Sequence, residues 1–176
     1  IIFRLRNPKE IAIYYFDQKE LKIVENLSFI KNILILFDNF KLIKSENIIL
    51  PGEKNRFCLE AIYAAILSNK SFTNLNFNQP KERLNDSLNQ FSDFRVFKTN
   101  EIKASIEKEY KNNKLKKIEE TISSLKVLSN DIDKYKTAYY MFTSGSTGIP
   151  KGVSINPKSL NIFMDFINKN LIKDQN

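Results

Sequence analysis

The chain has 176 residues, of which 42% are hydrophobic and 27% charged, and it carries a net charge of +8. This length and composition predict one globular domain, or a piece of a larger one, and exclude a disordered or fibrous protein. The longest apolar run, residues 61–67, is too short to cross a bilayer, and no secretory leader opens the chain. We therefore expect no membrane span and a cytoplasmic protein.

The sequence contains no histidine and a single cysteine, Cys58. The absence of histidine removes the usual general base of serine and cysteine hydrolases and the commonest zinc ligand, and we predict no metal site built from protein side chains. Cys58 lies in an apolar stretch, which favours a buried thiol over a nucleophile. The lysines are dispersed among 20 acidic residues, so solvated faces are favoured over a nucleic-acid surface. A nucleic-acid-binding module stays open as a hypothesis that predicts salt-sensitive binding.

Strands and helices alternate along the first hundred residues. Apolar and β-branched runs predict strands at 11–16, 21–24, 47–50, 71–77 and 94–97, the first two forming a hairpin. Helices are predicted after Ser28 and after Asn55, both as N-caps, and from Pro80 in the first turn of a third helix that includes Phe91. This alternation predicts an α/β fold, a layered sheet of parallel strands with flanking crossover helices.

Residues 101–129 differ from the rest because they are highly charged. An interrupted helical stripe predicts a surface helix or a pair of helices, broken at Asn112 and Asn113. Simple packing on the sheet is favoured over a partner-binding role, since the stripe is no wider than a surface helix needs. The apolar stripe comprises Ile102, Ile106, Ile118, Ile122 and Leu125.

A final helix is predicted after Asn156, the N-cap, with Pro157 in the first helical position. Its apolar positions recur at helical spacing and are expected to be core residues rather than a cofactor site. They are Leu160, Phe163, Met164, Ile167 and Leu171.

Residues 139–155 depart most sharply from the composition around them, and three of the four glycines of the chain lie within this stretch. Hydroxyl groups, glycines that permit positive φ and a lysine can together surround an anion. Polyphosphate is the ligand that we expect such a stretch to bind. The candidate residues are Thr143, Ser144, Gly145, Ser146, Thr147, Gly148 and Lys151. Pro150 has a fixed φ and is expected to stiffen the backbone at the end of this loop. The alternative is a Ser/Gly-rich surface turn between strands predicted at 137–142 and 152–155.

Two well-known phosphate-binding motifs do not match this stretch. A Walker A loop needs a glycine followed by lysine and a hydroxyl residue at the start of a helix, whereas Lys151 precedes Gly152 and a strand. The G-x-G-x-x-G fingerprint of dinucleotide-binding folds is absent.

Residues 139–153, YYMFTSGSTGIPKGV, resemble the phosphate-binding signature TSGSTG-x-PKG of the adenylate-forming (AMP-binding) enzymes and match it at every fixed position. These are the acyl-CoA synthetases, luciferases and adenylation domains of nonribosomal peptide synthetases. Residues 50–88, including P-x-ERL, and residues 21–37 resemble earlier segments of amino-acid-activating members. Residues 153–167 look most like D-alanine–carrier-protein ligases and related amino-acid adenylation domains.

The resemblance implies an ATP-dependent ligase that uses Mg²⁺. Such an enzyme activates a carboxylic acid, here an amino acid by subfamily, as an acyl-adenylate with release of pyrophosphate. It then passes the acyl group to the phosphopantetheine thiol of a carrier protein or to coenzyme A. The residues implied to hold the β- and γ-phosphates are Thr143, Ser144, Gly145, Ser146, Thr147 and Gly148. Lys151 is implied as the catalytic residue that neutralises their charge.

The same resemblance implies that residues 1–176 are a partial N-terminal adenylation domain. The acyl pocket, the adenine site and the C-terminal lid with its lysine come later in family members, so the chain is not expected to catalyse adenylation alone. The alternative is a truncated, non-catalytic binding or scaffold protein that retains the fold.

Overall fold

The structure is a computed structural model, and it describes residues 11–17, 20–111, 137–143 and 148–170. In chain order its strands and helices are β1 (Ile11–Asp17), β2 (Glu20–Glu25), α1 (Asn26–Lys41), β3 (Asn47–Pro51), α2 (Arg56–Leu67), β4 (Ser71–Leu75), α3 (Lys81–Leu88), β5 (Arg95–Val96), α4 (Thr99–Lys111), β6 (Tyr139–Thr143), β7 (Lys151–Ile155) and α5 (Pro157–Asn170). No helix within these ranges has the length and apolar character needed to span a membrane.

A five-stranded sheet of order β5-β3-β4-β6-β7 forms the centre of the fold. The pairs β3–β4, β3–β5 and β4–β6 are parallel, as the alternation of strands and helices predicted. Of the strands described in this sheet, only β7 at one edge runs antiparallel, paired with β6. The predicted hairpin is confirmed as a separate antiparallel pair of β1 and β2.

The hydrophobic core lies between this sheet and helices α1, α2 and α4. Ile48 and Leu50 of β3 belong to the main core cluster, whereas the equally buried Ile49 between them does not. Since side chains alternate along a strand, β3 is covered on both faces, which explains its uninterrupted apolar sequence. Helix α1 contributes the largest fully buried side chains of the cluster, Phe37 and Phe40.

The two predicted helix caps in this region had different outcomes. Asn55 is confirmed as the N-cap of α2, because its side-chain oxygen accepts a hydrogen bond from the Cys58 N–H at 3.0 Å. Ser28 is wrong as the N-cap of α1, which already begins at Asn26 after Glu25. The Ser28 hydroxyl instead accepts a hydrogen bond from Arg56 Nη2 at 3.3 Å, a contact between α1 and α2.

A buried polar cluster joins the three helices of the core layer. Glu60 is fully buried, and its Oε1 accepts hydrogen bonds from Arg56 Nε and Nη2 and from Asn32 Nδ2, at 3.1, 2.8 and 3.0 Å. Asn32 Oδ1 in turn accepts one from the Tyr110 hydroxyl at 3.1 Å. Burial raises the pKa of Glu60 from 4.5 to about 7, against the opposing effect of Arg56, and desolvation also raises the pKa of the Tyr110 phenol.

Helix α4 accounts for the described part of the charged segment 101–129. Ile102 and Ile106 are buried in the core cluster, so this part of the predicted stripe packs against α1 and α2. The stripe positions Ile118, Ile122 and Leu125 and the predicted break at Asn112 and Asn113 lie outside the described residues.

Helix α5 begins as predicted. Pro157 is its first residue, and Asn156 Oδ1 accepts a hydrogen bond from the Lys158 N–H at 2.8 Å. The prediction of a core face is wrong at Phe163, whose exposed fraction is 57%. Helical periodicity marks a face that can be buried, but it does not supply the element that buries it. The side chains of Met164 and Leu171 lie outside the described residues.

Candidate functional site

Strands β6 and β7 bring the two ends of the glycine- and hydroxyl-rich stretch together. Thr143, the last residue of β6, pairs with Lys151, the first residue of β7. The Thr143 hydroxyl donates a long hydrogen bond of 3.4 Å to the Lys151 carbonyl. The strand pair therefore brings together the two ends of the predicted loop, Thr143 and Lys151. Of the predicted site residues, Thr143, Gly148 and Lys151 are described, whereas Ser144, Gly145, Ser146 and Thr147 lie outside the described residues.

The loop lies at the carboxyl end of a parallel strand. β6 is parallel to β4, which is parallel to β3, and Thr143 ends β6. In open α/β sheets, ligands bind in the crevice beyond the carboxyl ends of the strands. The end of β6 at Thr143 therefore lies at the edge of the sheet where such a crevice forms.

Gly148 adopts the left-handed conformation expected from the sequence. Its φ is +81°, a value that other residues rarely take, and a Cβ built there would meet no atom within 4 Å. The glycine is therefore required by the backbone path rather than by close packing. Left-handed residues next to ordinary ones turn successive N–H groups toward one side, which is the geometry of an anion nest.

Lys151 is exposed, and within the described ranges its ammonium group forms no ion pair. The alternation of side chains along the paired strands puts Thr143 and Lys151 on one face of the sheet, and Phe142 and Gly152 on the other. The cation and the hydroxyl that begins the loop therefore share a face. A lysine in this position is free to neutralise a bound anion.

Gln90, two residues after the end of α3, contacts the exit of the loop. Its Nε2 donates to the Pro150 carbonyl at 2.7 Å, and its Oε1 accepts from the Gly152 N–H at 2.9 Å. Nε2 also donates to the Asp86 carbonyl at 3.1 Å, which fixes the side chain to its own helix. Sequence reasoning missed Gln90 because no pattern links it to residues sixty positions away.

An aromatic cluster docks this end of α3 onto the sheet. The Phe91 ring meets Tyr140 edge-on, with centroids 5.0 Å apart, and contacts Phe142 at 6.1 Å. Phe91 was predicted inside the helix but lies beyond its last residue, Leu88. A side chain at Gly152 would be crowded here, because a Cβ would lie 3.1 Å from Gln90 Oε1 and 3.3 Å from the Phe142 ring.

The thiol and carboxylate groups of the described residues do not build a second reactive or metal site. Cys58 is confirmed as a buried thiol, and burial raises its pKa, which disfavours the thiolate. In the described parts of the chain, no group of three or more Cys, Asp or Glu side chains is placed to hold a metal ion.

A model of the AMP-binding enzyme family matches residues 39–173, most of the chain. The chain belongs to the AMP-binding enzyme family. The D-alanine–D-alanyl carrier protein ligase of Staphylococcus epidermidis is 29% identical to it over 121 residues, which cover 68% of this chain and 24% of the ligase. The family resemblance predicted from residues 139–153 is confirmed.

Solved structures of this family share the fold. A fatty acid AMP ligase from Legionella pneumophila superposes with a TM-score of 0.67 at 12% identity, covering 99% of this chain and 32% of that one. The Vibrio cholerae adenylation domain AlmE, in complex with glycyl-adenosine-5′-phosphate, has a TM-score of 0.65 at 17% identity, covering 97% and 37%. The Klebsiella oxytoca NpsA N-terminal subdomain has a TM-score of 0.60 at 16% identity, covering 90% and 41%.

These likenesses confirm the predicted fold class, an α/β sheet with flanking helices as in the N-terminal subdomains of adenylate-forming enzymes. The chain spans about a quarter of the length of the S. epidermidis ligase and about a third of the first two solved structures.

Proposed function

We propose that this chain is the N-terminal, phosphate-binding part of an ATP-dependent ligase that forms an acyl-adenylate and pyrophosphate. The proposal rests on one observation. The strand pair β6–β7 joins Thr143 and Lys151, which flank the family's signature sequence, at the carboxyl end of β6, and Gly148 between them has a positive φ.

The loop has the chemistry that the β- and γ-phosphates of ATP need. Lys151 supplies a compact positive charge, and the exposed Thr143 carries a hydroxyl whose one proton makes only a long bond to the Lys151 carbonyl and can turn to a phosphate instead. We assign the intervening Ser144, Gly145, Ser146 and Thr147 to the same role, together with Gly148. Because negative charge develops on the departing pyrophosphate, groups that hold it lower the barrier as well as bind the nucleotide. Lys151 is therefore the proposed catalytic residue of this segment.

ATP would bring Mg²⁺ with it. This ion keeps several waters and binds through substrate phosphates and one or two carboxylates, so it needs no cage of protein ligands. When bound, Mg²⁺ would supply further charge neutralisation at the phosphates. The described residues place no carboxylate cluster beside the loop, and we assign no Mg²⁺ ligand to this segment.

The proposed substrate is an amino acid, and the proposed acceptor is the phosphopantetheine thiol of a carrier protein, with coenzyme A as the alternative thiol. Support comes from the S. epidermidis relative, whose name includes D-alanine and a carrier protein, and from the glycyl-adenylate in the AlmE complex. The cytoplasm, which supplies ATP, is the proposed compartment.

ATP–pyrophosphate exchange by the complete protein tests this function. Labelled pyrophosphate should enter ATP only when the correct carboxylic acid is present, because the acyl-adenylate must form before pyrophosphate can reverse the step. D-alanine, glycine, a hydroxybenzoate and a fatty acid make a suitable panel, and a reaction without acid is the control. Exchange with none of a wide range of acids, by a folded protein, would refute the proposal and favour a non-catalytic binding protein.

A further inference from the structure

We propose that Gln90 is the positioning residue for Lys151. Its carboxamide holds both peptide units that meet at the Lys151 Cα and so directs the ammonium group toward the phosphates of ATP. This inference rests on the proposed function, which gives Lys151 its ligand. It adds a residue from outside the signature loop.

Gln90 contacts the peptide groups on either side of the Lys151 Cα. The Pro150 carbonyl belongs to the peptide unit before the Lys151 Cα, and the Gly152 N–H belongs to the unit after it. Each peptide unit is planar, so holding both leaves little freedom in φ and ψ of Lys151. The direction of the Cα–Cβ bond of Lys151 is thereby fixed relative to α3.

The carboxamide occupies a place that a further strand would otherwise take. β7 is the edge of the sheet that the described strands form, and its Gly152 N–H points away from β6. In a parallel pair of strands, a residue on one strand bonds the carbonyl of the residue before its partner and the N–H of the residue after its partner. The side chain of Gln90 makes the same two bonds around Lys151, to the Pro150 carbonyl and the Gly152 N–H. Pro150 has no N–H, so the edge offers no donor at that residue. Gln90 therefore continues the sheet by one residue at the loop exit.

Gln90 is itself held by independent contacts. Its Nε2 bonds the Asp86 carbonyl of α3, and the neighbouring Phe91 ring is packed against Tyr140 and Phe142 of β6. Gly152 lets the carboxamide approach, since a Cβ there would lie 3.1 Å from Oε1. Because Gln90 is anchored in this way, its hydrogen bonds hold the backbone of Lys151 in a fixed place relative to α3 and β6.

The test compares Gln90→Ala with Asn89→Ala in ATP–pyrophosphate exchange by the complete protein. Asn89 is an exposed neighbour at the same helix end and serves as the matched control. Loss of two neutral hydrogen bonds predicts a fall of about tenfold in kcat/KM for ATP, with the KM for the carboxylic acid unchanged. Gln90→Glu keeps the acceptor for the Gly152 N–H and loses the donor to Pro150, so it should also be impaired. Asn89→Ala should behave as the wild type.

A double-mutant cycle separates positioning from general destabilisation. If Gln90 acts through Lys151, Gln90→Ala should have little further effect in a Lys151→Ala background. Faster hydrogen exchange at the Gly152 amide, with the unfolding midpoint unchanged, would support the same conclusion. An unaltered kcat/KM for ATP in Gln90→Ala, or the same loss with and without Lys151, would overturn the inference. If the wild type shows no exchange with any acid, the proposed function itself fails.

Discussion

Replacing Glu60 with glutamine is expected to remove a pH dependence from the stability of the fold. Glu60 is fully buried, its Oε1 accepts hydrogen bonds from Arg56 and Asn32, and its Oε2 has no hydrogen-bond partner among the described residues. Desolvation therefore outweighs the attraction of Arg56 and raises the carboxyl pKa from 4.5 to about 7. Glutamine has nearly the same shape and stays neutral at every relevant pH.

The sign and size of the effect follow from proton binding. Because the pKa is raised, the folded protein holds this proton more tightly than the unfolded chain does. The stabilisation is fully present below pH 4.5 and is lost as the pH rises through about 7. At about 1.4 kcal/mol for each pH unit between the two pKa values, the whole contribution is about 3 kcal/mol. Most of it, roughly 2 to 3 kcal/mol, should disappear between pH 5 and pH 8.

Urea unfolding of the wild type and of Glu60→Gln, measured from pH 5 to pH 8, provides the assay. The difference in unfolding free energy between the two proteins should change by roughly 2 to 3 kcal/mol across this range, in the direction that favours the wild type at pH 5. Glu107→Gln, which removes an exposed carboxylate from α4, should show no such trend. Parallel pH profiles for wild type and Glu60→Gln, or an NMR titration of the Glu60 carboxyl with a midpoint near 4.5, would refute the reasoning.

Two further predictions concern local geometry. Asn55→Ala should lower the unfolding free energy by about 1 kcal/mol, because the Cys58 N–H loses its cap, whereas Asn55→Asp should retain most of the stability in urea unfolding. Gly152→Ala should lower kcat/KM for ATP in the exchange assay. The new Cβ would lie 3.1 Å from Gln90 Oε1 and 3.3 Å from the Phe142 ring, so it should displace both groups. Activity equal to that of the wild type would show that the close approach does not matter.

Much of the fold follows from local sequence signals. Helix α2 begins where Asn55 predicted, since a side-chain cap depends only on neighbouring residues. Ser28 failed because its hydroxyl is used between helices, by Arg56, and not at a helix end. A buried acidic residue such as Glu60 was not predicted, since its burial depends on partners that α1 supplies.

In the candidate site, too, local features could be predicted from the sequence, whereas contacts between distant residues could not. The loop was found from residue types alone, because hydroxyls, glycines and a lysine are concentrated within a few positions, and Gly148 adopts the positive φ expected of it. Gln90 was not found because its contact with Pro150 and Gly152 depends on how α3 docks through Phe91. Contacts between residues distant in sequence leave no spacing pattern to detect.

The proposed role of Lys151 in holding the phosphates of ATP is tested most directly by Lys151→Ala in the exchange assay of the complete protein. A lost charge-assisted contact of about 1.5–3 kcal/mol predicts a fall of about 10- to 150-fold in kcat/KM for ATP. Lys158→Ala, which removes an exposed lysine from the first turn of α5, should leave the rate unchanged. Equal exchange by the wild type and Lys151→Ala would contradict the assignment of the loop to the phosphates.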